Sequence, residues 1–501
     1  MATTTLAGNS GNNLLNASGL ESTLVQGFQG NDTITLVRVD DDAQGGEGDD
    51  SIGLTSAGTQ RNVVTAGKGA DSITFNSATL HSQTVSSGQG NDLITFGAAN
   101  SGIISEAQIA ANQGNDTIVI ATGATNRSLL SSYIGLGQGD DSVSFGTGTI
   151  TATTSDVFGG KGKDTLDLDA VAGANVTVNG GEGADLITLT AATFTTSKIG
   201  AGKGTDSIAI GSSAFTGSVA GGGLNDTISI VSLANGSAIR IYGDANGVTT
   251  VGTGTGGGAD GADVIGSTAS LYGAASVYGG GGADTIKVLS GTAAGVIDGG
   301  NGFDSIYLAS TAAAYIGSVN GGAGGDNITL NNNGAGLAIT GSGTVNGGAG
   351  NDTINYQGGA TAAVGGTAET YNFIAAGVTS GDKIALVSTA LAAATTVNWI
   401  GGAGQILVLT GQGTGALLSG GAFASGLAAG EGSLAVFVTG GDTYFYAKSN
   451  ASSNYVKFIV DSNDLVLTTA TGAQNVTAAN FGFTVAQNNA ASDTGLVISI
   501  T

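Results

Sequence analysis

One feature limits what this chain can fold into: an aspartate that closes a glycine-rich turn and returns about every 21 residues. The column runs Asp32, Asp50, Asp71, Asp92, Asp116, Asp141, Asp164, Asp185, Asp206, Asp226, Asp263, Asp284, Asp304, Asp326 and Asp352. Successive gaps are 18, 21, 21, 24, 25, 23, 21, 21, 20, 37, 21, 20, 22 and 26 residues. The fullest copies of the turn read GGEGDDSIGL (Gly45–Leu54), GGKGKDTLDL (Gly159–Leu168), GGEGADLITL (Gly180–Leu189), GGGGADTIKV (Gly279–Val288), GGNGFDSIYL (Gly299–Leu308), GGAGGDNITL (Gly321–Leu330) and GGAGNDTINY (Gly347–Tyr356). A weaker first copy, Gly8–Leu15, puts Asn13 in the same register. Self-similarity at this period predicts a solenoid in which each repeat is one coil.

Apolar residues frame the aspartate at constant distance. Two and four positions after it come pairs such as Ile73/Phe75, Ile118/Ile120 and Ile187/Leu189. Seven positions before it come Val64, Val85, Ile109, Ile134, Val157, Val178 and Ile199. Alternation on that scale is a strand with one buried face. Each coil is therefore expected to be strand, fixed turn, strand, with the length variation at the opposite turn. The expected fold is all-β, a parallel β-solenoid over residues 1–356 followed by a β-rich C-terminal region over 357–501, where the period is lost.

Composition narrows the partners. The 92 glycines, absence of proline and 41% hydrophobic residues fit many tight turns between short strands and not a disordered tract. No cysteine is present, so disulfides and thiolate metal sites are excluded. The net charge of −24, from 37 acids against 13 bases, argues against nucleic acid and anionic membrane surfaces. No run of 18 apolar residues suggests membrane insertion. The start, MATTTLAGNSGNN, lacks the basic and apolar regions of a cleavable export signal, so export would use information elsewhere in the chain.

Stacked coils place the aspartates about 4.8 Å apart. Neighbouring carboxylates at that spacing repel by about 1 kcal/mol in water and about 3–4 at an effective dielectric near 20. Over the whole file that repulsion rivals the net stability of a domain. A hard cation with oxygen ligands is the natural neutraliser, calcium before magnesium. The alternative is an aspartate ladder that merely caps backbone amides. Besides the aspartates, the expected ligands are the carbonyls of the turn glycines Gly46, Gly48, Gly160, Gly162, Gly181, Gly183, Gly280, Gly282, Gly300, Gly302, Gly322, Gly324, Gly348 and Gly350. At the fifth turn position Asn31, Asp49, Asn91, Asn115, Asp140 and Asn351 add an oxygen, but Lys163, Ala184 and Phe303 show that it is dispensable. At the third, Glu47 and Lys68, and then Lys161, Glu182 and Lys203, alternate in sign and would pair if coils stack in register. The turn Gly221–Asp226 carries Leu224 in place of a glycine. The long gap before Asp263, with GTGTGGG at Gly252–Gly258, is either a coil without its aspartate or a loop leaving the stack.

Catalytic motifs are scarce. The single histidine, His81, excludes HExxH and any site with two imidazoles, and no GxSxG accompanies it. Trp399 is the only tryptophan and reads as core.

The turns quoted above resemble the RTX (repeats-in-toxin) calcium-binding nonapeptide over about residues 8–356. The chain departs from the family's tandem arrangement, because one nonapeptide alternates with about twelve variable residues. The resemblance therefore implies one file of shared calcium ions and not two. GDTYFYAKSN (Gly441–Asn450) and DLVLTTATGAQNVTAANF (Asp464–Phe481) are similar to the terminal region of RTX proteins exported by type I secretion. RTX enzymes normally carry a catalytic domain beside the repeats, so the resemblance implies a non-enzyme. It points to a secreted structural protein at the cell surface that folds on calcium after export and self-assembles as a homo-oligomer or homopolymer, in a surface layer or extracellular fibre. The other reading is a monomeric calcium-dependent adhesin or matrix-binding protein, with a cell-surface polysaccharide as partner.

Overall fold

The computed structural model describes most of residues 4–358, the longest omission being 245–260, and beyond 358 only the backbone of the strands between Thr370 and Ile500. Trp399 and Gly252–Gly258 lie outside the described residues, as does most of 464–481. The fold is all-β: parallel strands stack as a β-solenoid of about 12 turns, roughly 21 residues apart. The described residues contain no helix. Two compact units are distinguished, Met1–Asp263 and Val264–Thr501.

In the first unit every coil supplies one strand before the glycine turn and one after it, and each stacks in register on its counterpart. Val64 pairs with Val85, Val85 with Ile109, Ile109 with Ile134, and so on to Val219. After the turn, Ile73 pairs with Ile94, then Ile118, Val143, Leu166, Ile187, Ile208 and Ile228. These two columns are buried and face each other as the core. Like meets like between coils, and the rings of Phe75 and Phe96 stack at 4.7 Å. Each Ile or Val removed from water contributes about 1.5–3 kcal/mol, and the identical register makes that gain repeat in every coil.

The variable stretch holds more structure than expected. Thr79–His81, Ile103–Ser105, Arg127–Leu130, Ile150–Thr153 and Val171–Ala174 form a third parallel column. It merges with the long strands Thr193–Lys203 and Ala214–Gly223. Leu80, Ile104, Leu129, Ala152, Phe194 and Phe215 turn inward from it.

In the second unit Ile286, Ile306, Ile328, Ile354 and Ile384 continue the same parallel pattern, so the ladder runs past residue 356 to Lys383–Ser388. Pairing then becomes antiparallel: Lys383–Ser388 with Asp493–Ile500, and a meander of Glu431–Thr439, Asp442–Ser449 and Tyr455–Val460.

Candidate metal centre: the aspartate file

The turn is built by its glycines. At the second and fourth positions φ is positive, for example +120° at Gly160 and Gly162 and +143° at Gly183. A Cβ on Gly162 would overlap the carbonyl oxygen of Gly139, and one on Gly183 that of Gly162. The glycines are thus required twice, by conformation and by the approach of the preceding coil. Three side chains stand in these columns at φ 73–83°: Phe28, Asn112 and Leu224. The strand register steps over the first turn residue in each coil pair, as in Phe158↔Asn179 followed by Gly160↔Gly181.

This step lets the aspartates turn inward. All fifteen are at most 3% exposed. In the first unit each carboxylate from Asp50 to Asp263 reaches back one coil, where its Oδ1 accepts the backbone N–H of the preceding aspartate. The Asp50 N–H donates to Asp71 at 2.7 Å, Asp164 to Asp185 at 2.8 Å, and Asp185 to Asp206 at 2.7 Å. Asn13 begins the file by donating its N–H to Asp32 at 2.7 Å. In the second unit Asp284 donates to Asp304, Asp304 to Asp326 and Asp326 to Asp352, at 2.8–2.9 Å.

The other oxygen is the anomaly. Oδ2 is buried without a hydrogen-bond partner in Asp32, Asp50, Asp71, Asp92, Asp116, Asp141, Asp164, Asp185, Asp206, Asp226, Asp304 and Asp326. In the turns that begin with glycine it lies against that glycine and near a carbonyl of the next coil. A Cβ on Gly180 would press on both Asp185 Oδ2 and the Ala201 carbonyl oxygen, and one on Gly299 on Asp304 Oδ2 and the Gly321 carbonyl. In these turns two acceptors therefore converge on one point. Burial, reinforced by adjacent carboxylates, pushes Asp71, Asp116 and Asp164 up to about 7 and Asp226 to about 8. Burial likewise raises Asp50, Asp185, Asp206, Asp304 and Asp326 to about 6. Unpaired buried acceptors at neutral pH need a proton or a cation.

An oxygen-only donor set of this kind suits a hard cation. Among the described residues no three acidic side chains converge as a ready cage. The residues that would hold an ion are thus one carboxylate per coil together with turn carbonyls. The fifth turn position has another role: Asn31 Oδ1 accepts the Asp49 N–H at 3.0 Å, and Asp49 Oδ1 the Ala70 N–H at 2.8 Å. The oxygen expected for a metal is used to tie successive turns. At the third position the charges pair across coils, Lys68–Glu47 at 2.9 Å and Lys203–Glu182 at 3.0 Å, fully in solvent.

A second corner, not evident in the sequence, lies ten residues before Asp32, Asp50 and each aspartate from Asp92 to Asp206. Ser82, Glu106, Ser131, Thr154, Asn175 and Thr196 occupy it at φ 47–54°. The next residue points inward, and in several coils it caps the preceding coil as the aspartates do. The Ala107 N–H donates to Ser132 Oγ, Ser132 to Ser155 and Val176 to Ser197, each at 3.2 Å. Occupants of this position include Thr23, Asn62, Gln83, Ala107 and Val176, and one aspartate, Asp41. Both Asp41 oxygens are used, accepting the Thr23 N–H at 2.8 Å and the Arg38 N–H at 3.1 Å.

The long gap is an opened turn. Ala220 pairs with Tyr242, so Gly243 and Asp244 take the first and second turn positions. Gly261 meets the Leu224 carbonyl as a fourth-position glycine, and the Asp226 N–H donates to Asp263 Oδ1 at 2.7 Å. The added length therefore falls inside the fixed turn, not opposite it, and Asp263 keeps its place in the file.

His81 is a surface residue. Its Nδ1 lies 2.7 Å from Ser105 Oγ, and its Nε2 lies 3.6 Å from Glu106 Oε2. The trio has the membership of a hydrolytic triad, but it sits on half-exposed strand surface as a cross-coil ladder, His81 being the register partner of Ser105. The cavity of about 680 Å³ among Phe145, Thr149, Asp167, Asp169 and Thr193 is elsewhere. No family model and no curated protein matches the chain.

Proposed function

We propose that this is a secreted calcium-binding structural protein of RTX type, which folds as its aspartate file fills with calcium and then assembles with copies of itself at the cell surface. One observation carries the calcium reading: two corners cap the same kind of backbone amide, and only one insists on aspartate. Capping is served at the second corner by serine or glutamine, and even omitted at Ala107 and Val176. The first corner keeps a buried carboxylate in coil after coil and leaves its second oxygen without a donor. A cap alone does not require that charge, whereas an ion does.

Assembly draws on the coil at the start of the stack. Among the described residues Thr4–Ala7 pairs only with Thr23–Gln29, and Leu14–Asn16 only with Thr33–Leu36. Each therefore has one edge without a partner among the described residues, and Leu14 is 80% exposed beside it. Open edges are templates for another chain.

Circular dichroism of the full chain at neutral pH tests the first part. The β signal should collapse with a strong chelator and return with calcium, and a signal unchanged by the chelator overturns the calcium reading. Electron microscopy in millimolar calcium tests the second. Sheets or fibres support assembly, and separate particles transfer the reading to a monomeric adhesin.

A further inference from the structure

The opened turn differs from the others in charge as well as length. Where the second position holds glycine in most coils, and Phe28 or Asn112 in two, this coil holds Asp244, only 4% exposed. Its Oδ1 accepts the Gly261 N–H at 3.2 Å, which fastens the two ends of the opened turn to each other. Asp226 lies one coil before, with Oδ2 buried and unpartnered beside the Gly243 carbonyl. Asp244 is close enough to add repulsion at both Asp226 and Asp263. An ordinary step of the file brings one carboxylate per coil, but this one brings a further buried carboxylate to the same turn.

We propose that Asp226 and Asp244, with the Gly243 carbonyl between them in the stack, form a distinct divalent-cation site that binds calcium more tightly than the ordinary steps and fills first. The inference rests on the calcium reading of the file. Affinity of oxygen-ligand sites rises with the number of charged ligands, over orders of magnitude between sites of similar geometry. Closing the turn through the Asp244–Gly261 hydrogen bond also orders the ligands before the ion arrives, which lowers the cost of binding.

The test is a calcium titration of the metal-stripped full-length protein, read by calorimetry and by terbium luminescence. The unaltered chain should show an early step at least about tenfold tighter than the rest, a separation of about 1.4 kcal/mol. Asp244→Asn should abolish that step and spare the others. Asp244→Gly restores the residue usual at this turn position, so it guards against simple misfolding, and it should titrate like Asp244→Asn. Asp185→Asn should remove an ordinary step and keep the early one. If both Asp244 variants titrate like the unaltered chain while calcium still binds, this site is refuted and the file stands. If no protein binds calcium, the file and this site fall together.

Discussion

Two corners of each coil in the first unit solve one problem with different chemistry. Both sit at fixed distance from the same aspartate, both use positive φ, and both send side chains inward to cap the neighbouring coil. The second corner needs φ near 50°, which Ser, Thr, Asn and Glu adopt, and its caps are mostly neutral. The first needs φ above 100° at most of its turn glycines and buries a carboxylate in every coil. The neutral corner is complete as protein, whereas the charged corner has acceptors facing acceptors. Stability at one is intrinsic; stability at the other depends on what is dissolved around it.

That contrast fails or sharpens first on metal and pH. Folding raises Asp185 to about 6, Asp71 to about 7 and Asp226 to about 8 from an ordinary carboxylate value of 3.8. A raised carboxylate stabilises the fold when protonated, so its contribution is full below about pH 4 and is lost as pH climbs through 6 to 8. Each such group costs about 3–6 kcal/mol when ionised without a partner. Several together exceed the stability of an ordinary domain. In chelator the solenoid should therefore unfold at pH 8 and regain its β signal near pH 4. Metal-free stability that rises with pH would break the comparison.

Next in size is the backbone. Gly162→Ala should destabilise by about 3 kcal/mol, from φ strain and overlap with the Gly139 carbonyl. Thr154→Gly at the neutral corner should change the denaturation midpoint little. Equal losses would mean that the two corners are not conformationally different.

A smaller effect separates the caps. Ser155→Ala strands the Ser132 N–H and should cost about 1–2 kcal/mol with or without calcium. Asp185→Asn retains an Oδ1 acceptor, so it should stabilise the metal-free protein and weaken its response to calcium. A calcium-dependent loss in Ser155→Ala would undo the distinction. The least effect belongs to Leu224→Gly, which relieves a leucine at φ 73° and should gain about 1 kcal/mol in urea denaturation.

The charged corner was legible in the sequence because its demands are extreme. Glycine is strongly favoured by its dihedrals, and one carboxylate recurs, so Gly160, Gly162 and Asp164 announce themselves. The pairs Lys68–Glu47 and Lys203–Glu182 followed from register alone. The neutral corner escaped because αL geometry near 50° and a single cap are met by residues as unlike as Gln83, Ser132 and Val176. The third strand column escaped because the stretches around it vary in length. Within it Arg127 is buried in register with Ile150, its Nη2 donating to the Gly97 carbonyl at 2.7 Å, which no alternation pattern foretells. Asp244 was hidden because the inserted residues follow it and move it far from Asp263 in number while its strand keeps it in the turn.

Register that steps over one residue and resumes in every coil has a genetic consequence. The segment from one aspartate to the next begins and ends on the same surface, so whole coils can be duplicated or lost with their neighbours meeting in an unchanged frame. A deletion of 21 residues from Thr165 through Asp185 brings Asp164 to Leu186's predecessor position and leaves the same turn. Point changes in the turn are punished, but changes in copy number are not. The gene can therefore alter the number of coils, and with it the number of carboxylates in the file, without inventing a new contact.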